Sequence, residues 1–406
     1  MPARRFWGGD LITSIPAGAG VGVFFLERMP VDTSFVSLVF WALIFLAGLL
    51  SVELGLSVAI IEISLGVIGG NFLGLQPTPW IAYLAGFGGI LLTFLAGAEV
   101  DTQVLKSKFK ESFFIGGISF AAPFLGAMCY AYYVLGWSWP ASKIAGIALS
   151  TTPLAVVYAV LVETGLTHTE LGKIIMAATF VTDLGTAVAL SLLFLEFNWF
   201  TLVFLAASAL FIFIIPKIYP WICTRYGERV IEPEIKFLFL ILVAFMYLAR
   251  LGASHAILPA FVLGLALSNQ FMKNRKLQHR LRVVAFAIIT PFFFINGGMN
   301  ISLKLLLLNG GLLLQMLLVK QVTKMAGIYP LARKYLPQGA MYTTLLMSTG
   351  LTMGTISSVF GLTGGFISQI QFSVLVAAVV LSAIIPTFIA QKWFEPAYQL
   401  PENNED

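Results

Sequence analysis

Long apolar runs separated by short polar segments follow one another along almost the whole chain. A run of about 20 residues is long enough to cross a hydrocarbon layer of roughly 30 Å as a helix. The pattern predicts thirteen spanning helices, at 35–54, 56–74, 79–100, 110–136, 140–163, 168–196, 198–220, 233–250, 253–272, 281–298, 304–334, 338–362 and 368–394. The first 34 residues, with a Gly-rich apolar stretch at 11–26, are expected to form an interfacial lead-in rather than a further span.

Composition supports a polytopic membrane protein. The chain is 59% hydrophobic and only 11% charged, whereas a soluble domain is about 25% charged. The net charge of +5 does not indicate nucleic-acid binding, because the basic residues lie in short loops between apolar runs. Cys129 and Cys223 lack the spacing of a metal site or a disulfide framework, so neither is expected.

The basic residues predict which loops face the cytoplasm. Most of them follow odd-numbered spans: Lys106, Lys108, Lys110, Arg225, Arg229, Lys236, Lys273, Arg275, Lys276, Arg280, Arg282, Arg333 and Lys334. The odd loops and the C-terminus are therefore predicted to be cytoplasmic. We expect a multi-pass protein of the cell inner membrane, embedded in the lipid bilayer and ending in a short acidic tail at 396–406.

One carboxylate interrupts the apolar run at 173–196, KIIMAATFVTDLGTAVALSLLFLE. Asp183 lies near the middle of this predicted helix, directly after Thr182. A charged side chain at this depth costs roughly 2.5–3.5 kcal/mol on insertion scales. Such residues face the bundle interior or water and mark ion or proton pathways. Asp183 is therefore the leading candidate for a functional site.

Two spans combine helix-breaking residues with small hydroxyl side chains. These residues are Ser150, Thr151, Thr152 and Pro153 in span five, and Ser348, Thr349, Gly350 and Gly354 in span twelve. Interrupted helices at matching positions of two halves indicate inverted repeats with a transport site between them. Gly and Pro that only ease helix packing are the alternative explanation.

Two lysines, Lys320 and Lys324, lie near the middle of span eleven and share one helix face. An isolated buried cation is unfavourable, so a carboxylate partner is expected, and Asp183 is the central one. The residues leave open which lysine pairs with it, and the other could extend to the interface or meet Glu62 or Glu99. A static clamp between two helices is the alternative to a functional pair.

A functional pair would allow competition between ions. Burial disfavours the ionised form of Asp183, and a nearby ammonium favours it. A carboxylate balanced in this way can release a proton and then accept Na⁺ or K⁺ in place of the lysine. The candidate oxygen ligands are Ser150, Thr151, Thr152, Thr182 and freed backbone carbonyls. Proton and cation then exclude one another, which gives antiport if the site faces one side at a time.

Three further acids lie within or at the ends of spans. Glu62, in IIEISLG, is expected either as a supporting acid near the site or as an anchor at the lipid interface. Glu99 and Asp101 end span three and are expected to form a solvated helix end.

Five stretches have a recognisable order and spacing: FLAGAEVDTQVLKSKFK, ALSTTPLAVVYAVLVETGLTHTELGKIIMAATFVTDLGTAVALSLL, PAFVLGLALSN, TPFFFINGGMNISL and VTKMAGIYPLAR. Together they resemble the second branch of the monovalent cation–proton antiporter superfamily, which includes sodium–proton antiporters and the membrane domain of Kef potassium efflux systems. The resemblance extends over about residues 35–395.

This resemblance implies a homodimer of the sodium–proton antiporter fold, an all-α polytopic membrane protein with two inverted repeats and crossed discontinuous helices. It places dimerisation-domain helices at 35–100 and, with a linker, at 197–302. It places the helices of a core domain at 101–196 and 303–395. The core is expected to move in an elevator-like step.

The resemblance also implies roles for single residues. Asp183 takes the position of the essential ion-binding aspartate, and Thr152 that of the hydroxyl in the first broken helix. Lys324, in TKMAG, takes the position of the lysine in the family's GK pattern, which selects it over Lys320. Glu62 takes the position of the glutamate in a GEI-type pattern.

Two positions depart from the family pattern. Thr182 stands where Asp, Asn or Gln is common, which leaves one titratable acid and predicts a one-for-one, electroneutral exchange. Pro153 stands where a small polar residue is common. It stiffens the break and removes one hydrogen-bond donor, and selectivity between Na⁺ and K⁺ is expected to differ as a result.

The predicted function is exchange of Na⁺ or K⁺ for H⁺, without a cofactor and without a nucleic-acid partner. Two alternatives stay open: a gated, Kef-like K⁺ efflux pathway and a cation-coupled symporter of an organic anion. The first is usually controlled by a nucleotide-binding domain, which is not expected in this chain. The second needs more cationic groups at membrane depth than Lys320 and Lys324. An enzyme is not expected, because the sequence shows no nucleophile–base set, metal cluster or phosphate loop.

Overall fold

The computed structural model describes residues 33–54, 57–100, 107–164, 166, 169–194, 199–251 and 256–396. The predicted lead-in at 1–34 lies outside the described residues except for its last two, as does the tail at 396–406 except for its first residue. Asp101 and Lys106 also lie outside them.

Helices account for most of the described chain, and the all-α prediction is confirmed. The first seven are α1 (Thr33–Leu54), α2 (Val58–Phe72), α3 (Pro79–Ala98), α4 (Phe109–Cys129), α5 (Trp139–Ser150), α6 (Leu154–Glu163) and α7 (Glu170–Leu193). The next five are α8 (Trp199–Tyr226), α9 (Pro233–Leu251), α10 (Ile257–Lys273), α11 (Arg275–Val284) and α12 (Thr290–Met299). The last five are α13 (Leu303–Leu308), α14 (Gly310–Tyr335), α15 (Ala340–Met347), α16 (Thr352–Thr363) and α17 (Gln369–Trp393).

Within the described ranges, eight helical stretches are long and apolar enough to cross a membrane, and α2 and α10 are shorter apolar helices. The chain is thus a multi-pass membrane protein, and the total of thirteen spans stays a prediction. Spans five and twelve are interrupted as predicted, as α5 and α6 and as α15 and α16.

Three predicted spans differ from the structure. The seventh ends later than residue 220, because α8 continues to Tyr226. The tenth begins earlier, because α11 continues through a π-helical turn (Ala285–Ile289) into α12. Its charged start is helical because the Asn274 side chain accepts a hydrogen bond from the Leu277 N–H and caps it. The eleventh is divided into α13 and α14 at Asn309, whose side chain donates to the Leu305 carbonyl. The two glycines that follow Asn309 are poor helix formers and favour this division.

The helices form two groups by their contacts. One group contains α1–α3 and α8–α12, with α3 packed against α10 and α12. The other contains α4–α7 and α14–α17, with α4 packed against α5, α7 and α14. Close approach of α3 and α10 depends on Gly97 and Gly264, because a Cβ at either would overlap a carbonyl oxygen of the other helix. This contact fixes the end of α3, where Glu99 lies.

Candidate ion-binding site

The first break lies at residues 151–153, between α5 and α6. Thr151 is extended, with φ −71° and ψ 155°, so the helix stops after Ser150. The Pro153 carbonyl accepts the Val157 N–H at 3.1 Å and begins α6. Pro153 therefore stands at a helix start, where its missing N–H costs no helical hydrogen bond.

The second break lies at residues 348–351, between α15 and α16. Its hydroxyl groups donate back into the helix that precedes them: Ser348 to the Thr344 carbonyl and Thr349 to the Leu346 carbonyl, both at 2.6 Å. Ser150, the residue before the first break, does the same, to the Ile147 carbonyl at 2.8 Å. These bonds use the hydroxyl protons and leave the oxygen lone pairs free to accept.

Lys324 on α14 joins the two breaks. Its Nζ donates to the Thr151 carbonyl at 2.8 Å, to the Thr152 hydroxyl at 2.7 Å and to the Met347 carbonyl at 2.8 Å. The Thr152 hydroxyl in turn donates to the Met347 carbonyl at 2.9 Å. Thr152, Lys324 and the ends of α5 and α15 thus form one buried, hydrogen-bonded crossing.

The charge of Lys324 suits this position. Both acceptor carbonyls lie at the C-terminal ends of helices, which carry partial negative charge. A buried ammonium that donates to two carbonyls and a hydroxyl is well compensated without a carboxylate. This compensation explains how Lys324 can be fully buried.

Asp183 on α7 lies beside this crossing and faces a cavity. Its side chain is 4% exposed and lines a cavity of about 300 Å³. Within the described residues, Asp183 forms no ion pair within 4.0 Å, and its Oδ1 has no hydrogen-bond partner. Asp183 and Lys324 therefore form no direct ion pair in this conformation, in which the Lys324 ammonium donates to the two breaks. A functional pairing of the two residues stays a prediction.

The cavity lies between the two groups of helices. One wall consists of Leu92, Leu95, Ala96 and Glu99 near or at the end of α3, with Arg282 and Phe286. The other consists of Leu154 and Tyr158 on α6, Asp183 on α7, and Thr352 and Met353 on α16. Asp183 thus shares the cavity with the first residues of α6 and α16, whose helix N-termini favour a negative charge.

Lys320 lies one turn from Lys324 but has a different environment. It is fully buried and its Nζ has no hydrogen-bond partner in the described part of the chain. It lies against the second break, since a Cβ at Gly350 would overlap the Nζ atom. The expectation that the second lysine extends to the interface or meets Glu62 or Glu99 is therefore wrong.

Two other predicted residues lie away from the cavity. The Thr182 hydroxyl donates toward the Gly116 and Ala178 carbonyls, both at 3.1 Å, and so connects α7 to α4. Glu62 on α2 is 1% exposed, which excludes an anchor at the lipid interface. Neither side chain lines the cavity that Asp183 faces.

The sequence did not point to several groups at the site. Ser119 on α4 accepts from Lys324 at 3.3 Å, and the Met347 carbonyl accepts at 2.8 Å. Glu99 was expected to be solvated, but it is 16% exposed and paired with Arg282. A lone serine among apolar residues was a possible signal for Ser119, whereas a carbonyl acceptor has no signal in the sequence.

Comparisons with known proteins identify the family. A family profile described as "Sodium/hydrogen exchanger, transmembrane" matches residues 12–394. The chain is 28% identical over 354 residues to the probable Na(+)/H(+) antiporter 3 of Methanocaldococcus jannaschii, covering 82% of this chain and 90% of that protein. It is 25% identical over 357 residues to the Na(+)/H(+)-K(+) antiporter GerN of Bacillus cereus, covering 84% and 90%.

A solved structure has the same fold. The sodium proton antiporter MjNhaP1 of Methanocaldococcus jannaschii matches with a TM-score of 0.66 at 17% identity, over 88% of this chain and 98% of that one. The profile match covers nearly the whole chain and agrees with the relatives. This chain therefore belongs to the transmembrane sodium/hydrogen exchanger family.

Proposed function

We propose that the chain exchanges Na⁺ or K⁺ for H⁺ at Asp183, with one proton and one cation competing for the same carboxylate. The observation that carries this proposal is a buried carboxylate that lines a cavity and has no ion-pair partner among the described residues. An ionised carboxylate in that position can bind a hard cation through oxygen ligands, and a protonated one cannot. Membership of the exchanger family supports the cation–proton chemistry.

The Asp183 carboxylate is the group that binds and releases the proton and the cation. Lys324 compensates the ends of α5 and α15 and holds the crossing together. The candidate ligands, once a cation loosens the crossing, are the oxygens at the first break, from Ser150, Thr151 and Thr152. Thr182 supports α7 through its bond to the Gly116 carbonyl.

The position of the cavity between the two groups of helices supports alternating access. We propose that α4–α7 and α14–α17 move as a unit past α1–α3 and α8–α12, which form the contact surface of a homodimer. The more exposed residues that line the cavity include Glu99 and Arg282, and Arg282 belongs to the basic cluster after α10. By the distribution of basic residues this end of the cavity is cytoplasmic, as is the C-terminus, in the cell inner membrane.

A transport assay tests this function. Purified protein is reconstituted into proteoliposomes with a pH-sensitive dye inside, and Na⁺, K⁺, Li⁺ and choline are added in turn. Proton flux is expected with Na⁺ or K⁺ and not with choline. An equal response to choline would identify a leak instead of exchange.

The same vesicles test the stoichiometry. Since Asp183 is the one ionised acid proposed to load, exchange is expected to be one-for-one and insensitive to an imposed membrane potential. In vesicles with a K⁺ gradient but no gradient of H⁺ or Na⁺, adding valinomycin to impose a potential is expected to cause no further Na⁺-coupled proton flux. A sustained potential-driven flux would contradict the one-for-one exchange.

A further inference from the structure

The mouth of the cavity holds an ion pair that the exchange chemistry does not use. Two nitrogens of Arg282 contact the same oxygen of Glu99, Nη2 at 2.6 Å and Nε at 2.7 Å. The side chains are 37% and 16% exposed, respectively. Both residues line the cavity that Asp183 faces, and both are more exposed than Asp183, which is 4% exposed.

Arg282 also reaches toward the opposite wall. Glu99 follows α3 and Arg282 lies on α11, so both belong to one group of helices. The guanidinium carbon lies 6.0 Å from the ring centre of Tyr158 on α6, which belongs to the other group. The guanidinium therefore stands across the mouth, and a cation that approaches Asp183 from this end passes it.

A cationic side chain at the entrance of a cation pathway needs an explanation. Alone, the guanidinium would repel an approaching cation, and Glu99 alone would attract one. Paired, the two charges cancel for an ion more than a few ångströms away. We propose that the Glu99–Arg282 pair acts as an electrostatic filter at the entrance. The balance between its negative and positive charges sets the apparent affinity for the transported cation. This inference rests on the proposed exchange at Asp183.

If the pair acts as this filter, removing the charge of Arg282 and removing that of Glu99 should shift the half-saturating cation concentration in opposite directions. Arg282→Gln exposes the Glu99 charge and is expected to lower the half-saturating Na⁺ or K⁺ concentration. Glu99→Gln exposes the Arg282 charge and is expected to raise it. At low ionic strength each shift is expected to be roughly three- to tenfold. This is the effect expected when one unit charge acts on the cation across several ångströms of partly hydrated space. The double variant is expected to return to within twofold of the wild type.

The measurement uses everted membrane vesicles, in which the predicted cytoplasmic face is outside. Initial proton flux is recorded against external cation concentration at low and high choline chloride. The shifts are expected to shrink at high ionic strength because salt screens charges at a solvated mouth. Maximal rates are expected to change less than half-saturating concentrations, since Asp183 is unchanged.

Lys108 and Glu170 provide matched controls. Like Arg282 and Glu99, they form a pair of one cation and one carboxylate. Both are accessible to solvent, and neither lines the cavity. Glu170→Gln and Lys108→Gln therefore make the same charge changes away from the mouth and are expected to leave half-saturation unaltered. Arg282→Lys keeps the charge with different geometry and is expected to stay near wild-type half-saturation.

Several outcomes would overturn the filter. They are shifts of the same sign in Arg282→Gln and Glu99→Gln, equal shifts in the Lys108 and Glu170 controls, or a large shift in Arg282→Lys. Each would mean that the pair acts through packing or through general surface charge. These outcomes are distinct from failure of the proposed function, which would appear as exchange that persists without the Asp183 carboxylate.

Discussion

Asp183→Asn is expected to reduce cation-coupled proton flux to the level of protein-free vesicles. Asparagine has nearly the same shape, but it cannot release a proton and has no charge to hold a cation. Among the described residues, the other acid that lines the cavity is Glu99, whose charge is compensated by Arg282. A substitute for Asp183 is therefore not expected, and the loss should hold at every pH. Dye-loaded proteoliposomes with Na⁺ and with K⁺ measure it.

Glu170→Gln is the control for this experiment. It makes the same chemical change in an exposed carboxylate that does not line the cavity, and exchange is expected to continue at the wild-type rate. Normal exchange in Asp183→Asn, with protein incorporated at the wild-type level, would remove the carboxylate from the mechanism.

Lys324→Met is expected to give the largest loss of stability among the predicted site residues. The substitution leaves the Thr151 and Met347 carbonyls without their ammonium donor. An unpaired buried acceptor costs about 1–3 kcal/mol, although Met347 keeps its hydrogen bond from Thr152. The crossing of the two broken helices should therefore loosen, with a clearly lower melting temperature in detergent.

Lys320→Met provides a matched comparison, one helical turn away and equally buried. Because the Lys320 amine has no hydrogen-bond partner within the described residues, its replacement removes an unsatisfied polar group. The melting temperature is expected to stay the same or to rise. If Lys320→Met destabilises the protein and Lys324→Met does not, the roles assigned to the two lysines are reversed.

Much of the fold could be predicted from the sequence because a membrane restricts the possibilities. Apolar runs of about 20 residues predicted helices directly, and most boundaries agree with the structure within a few residues. The breaks at 151–153 and 348–351 could be predicted because Pro153 and Gly350 oppose a continuous helix. Asp183 was identified because a carboxylate is rare in such a run.

The pairing of charges could not be predicted in the same way. A mid-membrane aspartate and two mid-membrane lysines suggested an ion pair, but helix ends can compensate a charge as well as a side chain can. Lys324 binds the ends of α5 and α15, and no residue type marks a free carbonyl in a sequence. Arg282 belonged to a basic cluster that predicted topology. Its contact with Glu99 depends on the π-helical turn after α11, which packs against α3.

Proton release on cation binding tests most directly whether one carboxylate holds either H⁺ or a cation. Purified protein in detergent and weak buffer is titrated with NaCl or KCl while a pH indicator records released protons and calorimetry records bound cation. We expect close to one proton released per cation bound, no release with choline, and neither binding nor release in Asp183→Asn. Cation binding to the wild-type protein without proton release, across the pH range in which exchange is active, would contradict this expectation.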